Sequence, residues 1–389
     1  VTLAFWIALS VILYTYVGYP VAIYLLAKLR PRERVQAPYE TSVSIVMSVS
    51  NGEAMLPLQM QRLIAHAPHL VREIVVVSDA SQDRTAEILH ELTEPRCKTI
   101  ILEEHLGKAG ALNLAVAAAT GEILLFVDVR PQLQDDALEK LLRNFSDPTV
   151  GCVTGELSLR TDGHDGAASA VSGLYWRYEQ WIRQCEAAFD SPLGVYGGFY
   201  AIRRSLFTPF PTGLVLDDMF QPLAITRQGY RSVIDPDAHV VDMWPSEMKG
   251  EFRRKVRTLA GNFQLIAVAP WLMTPKNRLL IQLISHKLLR LVAPYCFLIT
   301  LVVATVLGLH QTGWLLVALM QWAFWAMAAA GLVMKLPFIH RLSGAAGGFL
   351  ALNAAAIVGL YTFLFSSEPL SKGWYAERTL AQKQARSAR

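Results

Sequence analysis

The run EIVVVSD (73–79) ends on Asp79, and SDASQDRT (78–85) sets a second aspartate, Asp83, four positions on. Similar polar clusters end two other apolar runs: Asn51 and Glu53 after SVSIVMSV, and Asp128 in EILLFVD. An acid after a buried strand can face a ligand, or it can cap the next helix or close a turn. Asp83 fits the cap, because a helix begins near Arg84, whereas Asp79, at the strand's very end, is the better ligand group. Three clusters in register are harder to explain as caps. GKAGALN (107–113) adds glycines and Lys108 at a helix N-terminus, a place suited to phosphate. Lys108 read alone is equally a solvated loop residue. The GxxxxGK[ST] spacing is absent and no GxGxxG follows the first strand, which argues against a P-loop and a dinucleotide fold. Cys97, Cys152, Cys185 and Cys296 are scattered without metal-ligand spacing and read as reduced thiols.

The elements that must position these residues alternate. Strand-like runs cover 42–49, 73–79, 98–104, 122–128 and 150–160, and helix-like runs cover 54–67, 81–93, 110–120 and 134–145. Continuous apolar strands interleaved with helices predict an α/β unit with a mostly parallel sheet covered on both faces. In such sheets the ligand crevice lies beyond the strands' carboxyl ends, where the polar clusters converge.

This unit is embedded in a greasier chain. Of 389 residues, 53% are hydrophobic and only 17% charged, and the net charge is +4. That balance suits a membrane protein with basic loops and argues against nucleic acid as a partner. Residues 3–28 carry no charge before Lys28 and are long enough to span a bilayer. They read as a retained anchor, and the cations Lys28, Arg30, Arg32 and Arg34 predict that the chain continues in the cytoplasm. Further apolar stretches at 291–309, 314–334 and 345–366 predict three more spans, preceded by an amphipathic interfacial helix at 276–290. The expected organisation is an anchor (1–30), a cytoplasmic catalytic domain (40–250), basic interfacial helices (251–290), three membrane helices (291–366) and a basic tail (367–389). The loop 335–341 is expected to be cytoplasmic, which conflicts with the basic tail if all the spans cross.

Taken together, residues 40–265 resemble the membrane-integrated, inverting glycosyltransferases of family 2, the superfamily of cellulose, chitin and hyaluronan synthases. SVSIVMSVSNGEAML resembles the family's strand-plus-YNEE opening, with Asn51 and Glu53 fitting; VVVSDASQDRT resembles VDDGSxDxT; GKAGALN is close to consensus. The resemblance implies a GT-A-type nucleotide-sugar-binding domain flanked by transmembrane helices. It further implies that Asp79 contacts the uracil base and Lys108 lies near the nucleotide. FVDVR stands where the family has DxD, which implies Mg²⁺ or Mn²⁺ on Asp128, with Arg130 in place of the second acid. VLDDMFQPLAITRQGYR (215–231) resembles the TED motif, which makes Asp218 the general base, with Asp217 orienting it or the acceptor. GVYGGFYAIRRSLF (194–207) resembles the acceptor strand, where Gly197 and Gly198 let a sugar approach the backbone.

EFRRKVRTLAGNFQL stands where processive synthases have QxxRW, so Arg254 and Arg257 are expected to pair with the diphosphate, while Thr258 replaces the tryptophan. Trp271 or Trp244 could substitute for it. The function implied is sugar transfer from a UDP-sugar to a carbohydrate or lipid-linked acceptor. It would serve polysaccharide or glycoconjugate synthesis at the cytoplasmic face of a bacterial inner or plasma membrane. Thr258 favours a non-processive polyprenyl-phosphate or glycolipid transferase as the alternative. A catalytically degenerate membrane scaffold is the non-enzymatic reading, opposed by the intact Asp79, Lys108, Asp128 and Asp218.

Overall fold

The computed structural model describes residues 1–66, 69–160, 167–243, 248–333, 340–366 and 370. Two helices, α1 (Thr2–Leu13) and α2 (Tyr19–Leu29), flank a π-helical turn, Tyr14–Gly18. The α/β unit follows as β1 (Val43–Val49), α3 (Leu56–Ala65), β2 (Val71–Asp79), α4 (Thr85–His90), β3 (Cys97–Leu102), α5 (Gly107–Ala118), β4 (Ile123–Val127), β5 (Gln132–Leu133), α6 (Ala137–Leu142) and β6 (Val150–Arg160). It continues with α7 (Ala167–Phe189), β7 (Phe199–Arg203), α8 (Asp217–Arg227) and β8 (Arg231–Met243). After it come α9 (Met248–Val268), α10 (Leu280–Gln282), a second π-turn (Leu283–Leu288), α11 (Leu289–Gly308), α12 (Thr312–Val333) and α13 (His340–Phe365).

The eight strands form one sheet in the order β3-β2-β1-β4-β7-β6-β8-β5. The first four are parallel neighbours, as their unbroken apolar runs require: all seven residues of β1 are buried. The pleat sends Val46 into one core, with Ala111, Leu112 and Ala115 of α5. It sends Val43, Ile45 and Met47 into the other, with Leu56, Met60 and Leu63 of α3. The sheet then departs from parallel. β7 runs antiparallel between β4 and β6, and β5 runs antiparallel along β8. α3, α4 and α6 also start later than their polar flanks suggested, whereas α5 starts earlier, at Gly107. Asp83 Oδ1 accepts the Thr85 N–H at 3.0 Å, which sets the start of α4 in the manner expected of a cap.

Among the described residues, four helices are long and apolar enough to cross a membrane: Thr2–Leu29, Leu280–Gly308, Thr312–Leu332 and Leu342–Phe365. The second starts eleven residues before the span expected at 291 and so takes in most of the segment 276–290 expected as an interfacial helix. The reason is visible in its cations. His286, Lys287 and Arg290 turn onto glutamates of α7 instead of lying along an interface. The basic tail, Trp244 and most of the loop 335–341 lie outside the described residues.

Candidate active site

The crevice is built from the carboxyl ends of β1, β2 and β4 and the amino ends of α5 and α8. At the first two strand ends the chain leaves β1 and β2 through Asn51 (φ 52°) and Ala80 (φ 47°), backbone states that are costly for residues other than glycine. Side chains fix both turns. Asn51 Oδ1 accepts the Gln82 N–H at 2.7 Å, Glu53 Oε2 accepts the Arg84 N–H at 3.1 Å, and Ser50 Oγ donates to the Asp79 carbonyl at 3.1 Å. Asn51 and Glu53, expected to bind donor, thus also staple the two loops together. Asp79 is 2% exposed. Its Oδ1 accepts the Leu106 N–H at 2.7 Å and its Oδ2 lies 2.8 Å from His105 Nδ1. The Asp79 side chain is 3% exposed and that of His105 21%, so the imidazole is the less buried partner of this pair.

Gly107 opens α5 with φ +75°, a conformation that needs glycine, and this aims Lys108 into the crevice. Its ammonium lies 3.1 Å from Asp128 Oδ1 and 3.1 Å from Asp217 Oδ2. Burial alone would lower the Lys108 pKa; Asp128, Asp217 and Asp218 outweigh it and raise it, so the ammonium stays charged. Asp128 is held from behind, since its carbonyl accepts from Gln59 Nε2 at 3.0 Å. Asp217 and Asp218 open α8. Burial raises the Asp217 carboxyl against the pull of Lys108. Burial and the neighbouring Asp217 push Asp218 up to about 6, opposed by Lys108, Arg183 and Lys287.

The segment expected to receive the acceptor begins as a loop, residues 194–198, which precedes β7 and lies against Asp218. Val195 N–H donates to the Asp218 carbonyl at 2.9 Å. A Cβ on Gly197 would stand 3.0 Å from Asp218 Cβ and 3.5 Å from its Oδ2, so the missing side chain keeps the face of the carboxylate open. Gly198 is closed in by Pro131 and Tyr196 instead, where a Cβ would meet atoms at 2.8 and 2.9 Å.

Arg130 leaves Asp128 to its lysine and pairs with Asp242 at 3.2 Å, an acid that also accepts the Tyr196 hydroxyl at 3.1 Å. The expected Mg²⁺ or Mn²⁺ at Asp128 therefore meets two carboxylates, Asp128 and Asp217, both already engaged by the Lys108 ammonium. Among the described residues no three His, Cys, Asp or Glu side chains group to hold a metal ion. This donor set does not fit a resident divalent ion. Arg254 and Arg257 sit partly buried on α9. That helix reaches the site at Gly261, whose Cβ would lie 2.9 Å from Leu216 Cγ, just before Asp217. Trp271 stacks under Arg227, 4.8 Å from the ring centroid, at the end of α8 away from Asp218, so it cannot lie under an acceptor sugar there. Trp176 lines a small cavity with Tyr196 and Arg183 and is the aromatic beside the acceptor strand. Sequence reasoning missed His105, Trp176, Arg183 and Asp242. The first of these stood in plain sight, three residues before Lys108.

Residues 44–208 match the family model for glycosyl transferase family 2. That stretch, which holds β1 to β7, is similar to glycosyl transferase family 2 domains. Among curated relatives, it is 26% identical over 205 residues to an N-acetylglucosaminyltransferase of Rhizobium meliloti (strain 1021), covering 49% of this chain and 48% of that protein. It is 24% identical over 205 residues to the poly-beta-1,6-N-acetyl-D-glucosamine synthase of Staphylococcus aureus (strain COL), covering 50% and 48%. The chain thus spans about half the length of the curated relatives it matches. A solved structure, the mannosyltransferase PcManGT from Pyrobaculum calidifontis in complex with GDP-Man and Mn²⁺, superposes with a TM-score of 0.72 at 22% identity. The match covers 94% of this chain and all of that one, and it supports the GT-A-like architecture of the family 2 domain.

Proposed function

We propose that the protein is a membrane-bound inverting glycosyltransferase. It moves a sugar from a UDP-sugar to a carbohydrate or lipid-linked acceptor, in polysaccharide or glycoconjugate synthesis. The observation that carries this is Asp218: a carboxyl raised to about 6, under a gap kept open by Gly197, beside a lysine-clamped pair of aspartates. A base of that strength takes the acceptor hydroxyl's proton as the oxygen bonds to the anomeric carbon. The bond to the diphosphate breaks on the opposite face, and the leaving UDP keeps the electron pair. Lys108, beside Asp128, is the cation that offsets its charge, with Arg254 and Arg257 on α9 as further partners. Asp217 orients Lys108, and the Asp79–His105 pair faces the nucleobase. The names of the curated relatives make N-acetylglucosamine the sugar to test first.

The mannosyltransferase neighbour carries Mn²⁺. In this chain the acids near Asp128 do not form a metal cage, and Lys108 supplies the positive charge beside it. Four candidate spans support a membrane location, with the catalytic unit on the cytoplasmic side as the cations after the first span suggest. The test is UDP release by detergent-purified protein with UDP-N-acetylglucosamine and other UDP-sugars. Release with one donor that is abolished in Asp218→Asn is expected, and undiminished release in that variant would refute the assignment.

A further inference from the structure

A buried charge cluster outside the crevice lies where α7 meets the first two spans. The π-turns Tyr14–Gly18 and Leu283–Leu288 face each other, joined by Tyr14 Oη and Ser285 Oγ at 2.9 Å. A π-turn adds a residue to the helical turn and rotates the side chains beyond it, and such turns concentrate at functional sites. Here the second turn directs His286 and Lys287 at α7. His286 is fully buried, with Nδ1 2.7 Å from Glu186 Oε1 and Nε2 3.1 Å from Glu179 Oε1. Glu179 also takes Lys287 Nζ at 2.7 Å and pairs with Arg290. Glu186 accepts the Tyr19 hydroxyl from the first span at 2.6 Å.

Apolar side chains would dock α7 on the spans at least as well, because withdrawing this many charges from water is costly. What charges add is a fixed register. One turn beyond Glu179, Arg183 Nη2 donates to the Gly194 carbonyl at 3.0 Å, and the adjoining Val195 N–H holds the Asp218 carbonyl. A connected path thus runs from the membrane helix through α7 and the acceptor strand to the carboxylate.

We infer that Glu179 and Lys287 are positioning residues, which fix α7 against the membrane helices so that Arg183 and residues 194–198 hold Asp218 at the acceptor's approach. The inference rests on Asp218 being the base. Lys287 also acts by charge. Burial and Asp217 raise the Asp218 carboxyl, and Lys108 from α5, Arg183 from α7 and Lys287 from the span oppose them. Around Lys287 itself stand Glu179 and Glu186 of α7, Tyr19 of the first span, and His286 and Arg290 of its own helix.

The experiment measures UDP release against pH for the full chain in detergent, with Lys287→Met, Lys287→Arg and Glu179→Gln beside Asp218→Asn. Lys287→Met is expected to lower kcat about tenfold or more, with donor KM within about twofold, and to move the acid limb to higher pH. Lys287→Arg keeps the charge and should restore both. Glu179→Gln should also lower kcat but move the limb to lower pH, because the Lys287 charge loses its counter-ion. Unshifted limbs in both Lys287→Met and Glu179→Gln, or Lys287→Arg as impaired as Lys287→Met, would overturn the inference. If Lys287→Met does not fold, an unshifted limb in Glu179→Gln overturns it alone. Retained turnover in Asp218→Asn would sink the functional reading and this inference together, whereas a dead Asp218→Asn beside a normal Lys287→Met sinks only the inference.

Discussion

Lowering the pH should switch transfer off far above the range where an ordinary aspartate titrates. With Asp218 at about 6, roughly nine in ten carboxyls are ionised at pH 7 and roughly one in ten at pH 5. At the usual 3.8, about nine in ten would still be ionised at pH 5. Only the ionised form accepts a proton, so kcat/KM for the donor should fall about tenfold between pH 7 and pH 5, on a limb that approaches unit slope below about pH 5. The same perturbation bears on stability. A folded pKa above the unfolded one favours the protonated form, so this contribution is complete below 3.8 and lost as the pH rises through about 6. Ionising Asp218 in place then costs at most about 3 kcal/mol. Asp218→Asn should therefore melt higher than the parent at pH 7.5, with the difference shrinking toward pH 4, while releasing no UDP. The assay is initial-rate UDP release across pH 4.5–8, with thermal melts on the same samples. A kcat/KM flat from pH 7 down to pH 5 in folded protein would refute the argument that burial and Asp217 set the base.

Gly197→Ala would bring a methyl carbon to 3.5 Å from Asp218 Oδ2 and should cut kcat about a hundredfold while UDP affinity, read by calorimetry, changes little. Lys108→Met strands Asp128 and Asp217 without their shared cation. It should weaken UDP binding about tenfold or more and lower the melting temperature, as unpaired buried charges do. His105→Ala is expected to raise the UDP dissociation constant with little effect on kcat at saturating donor, and an unchanged constant would remove His105 from the base site. Chelation separates the sources of positive charge: with Asp128 clamped by Lys108, EDTA should leave UDP affinity within about threefold. A larger loss that Mn²⁺ restores would return a metal to Asp128.

The parallel half of the sheet was legible because its strands are apolar on both faces, so SVSIVMSV and EIVVVSD announce themselves without any partner in view. The antiparallel half was not. β7 takes its place between β4 and β6 only through long-range pairing, and FYAIR reads locally as any short apolar run. The same division runs through the site. Lys108 and Asp128 stand out in short motifs, but the ammonium's equal approach to Asp128 and Asp217 joins residues 109 apart in sequence (217 − 108). Arg130 shows the limit most clearly. Its position beside Asp128 suggested a shared substrate charge, yet the bend after β4 carries it across to Asp242 on β8, a partner no local pattern names. The partners of the second span's cations were hidden for a related reason. Lysine and arginine among leucines look like an interfacial stripe when the buried glutamates that receive them, Glu179 and Glu186, lie a hundred residues away on α7. Where a charge goes depends on which counter-charge the fold brings to it. The acids of α8 and α7 are thus the residues on which the base, the donor clamp and the membrane helices all come to depend.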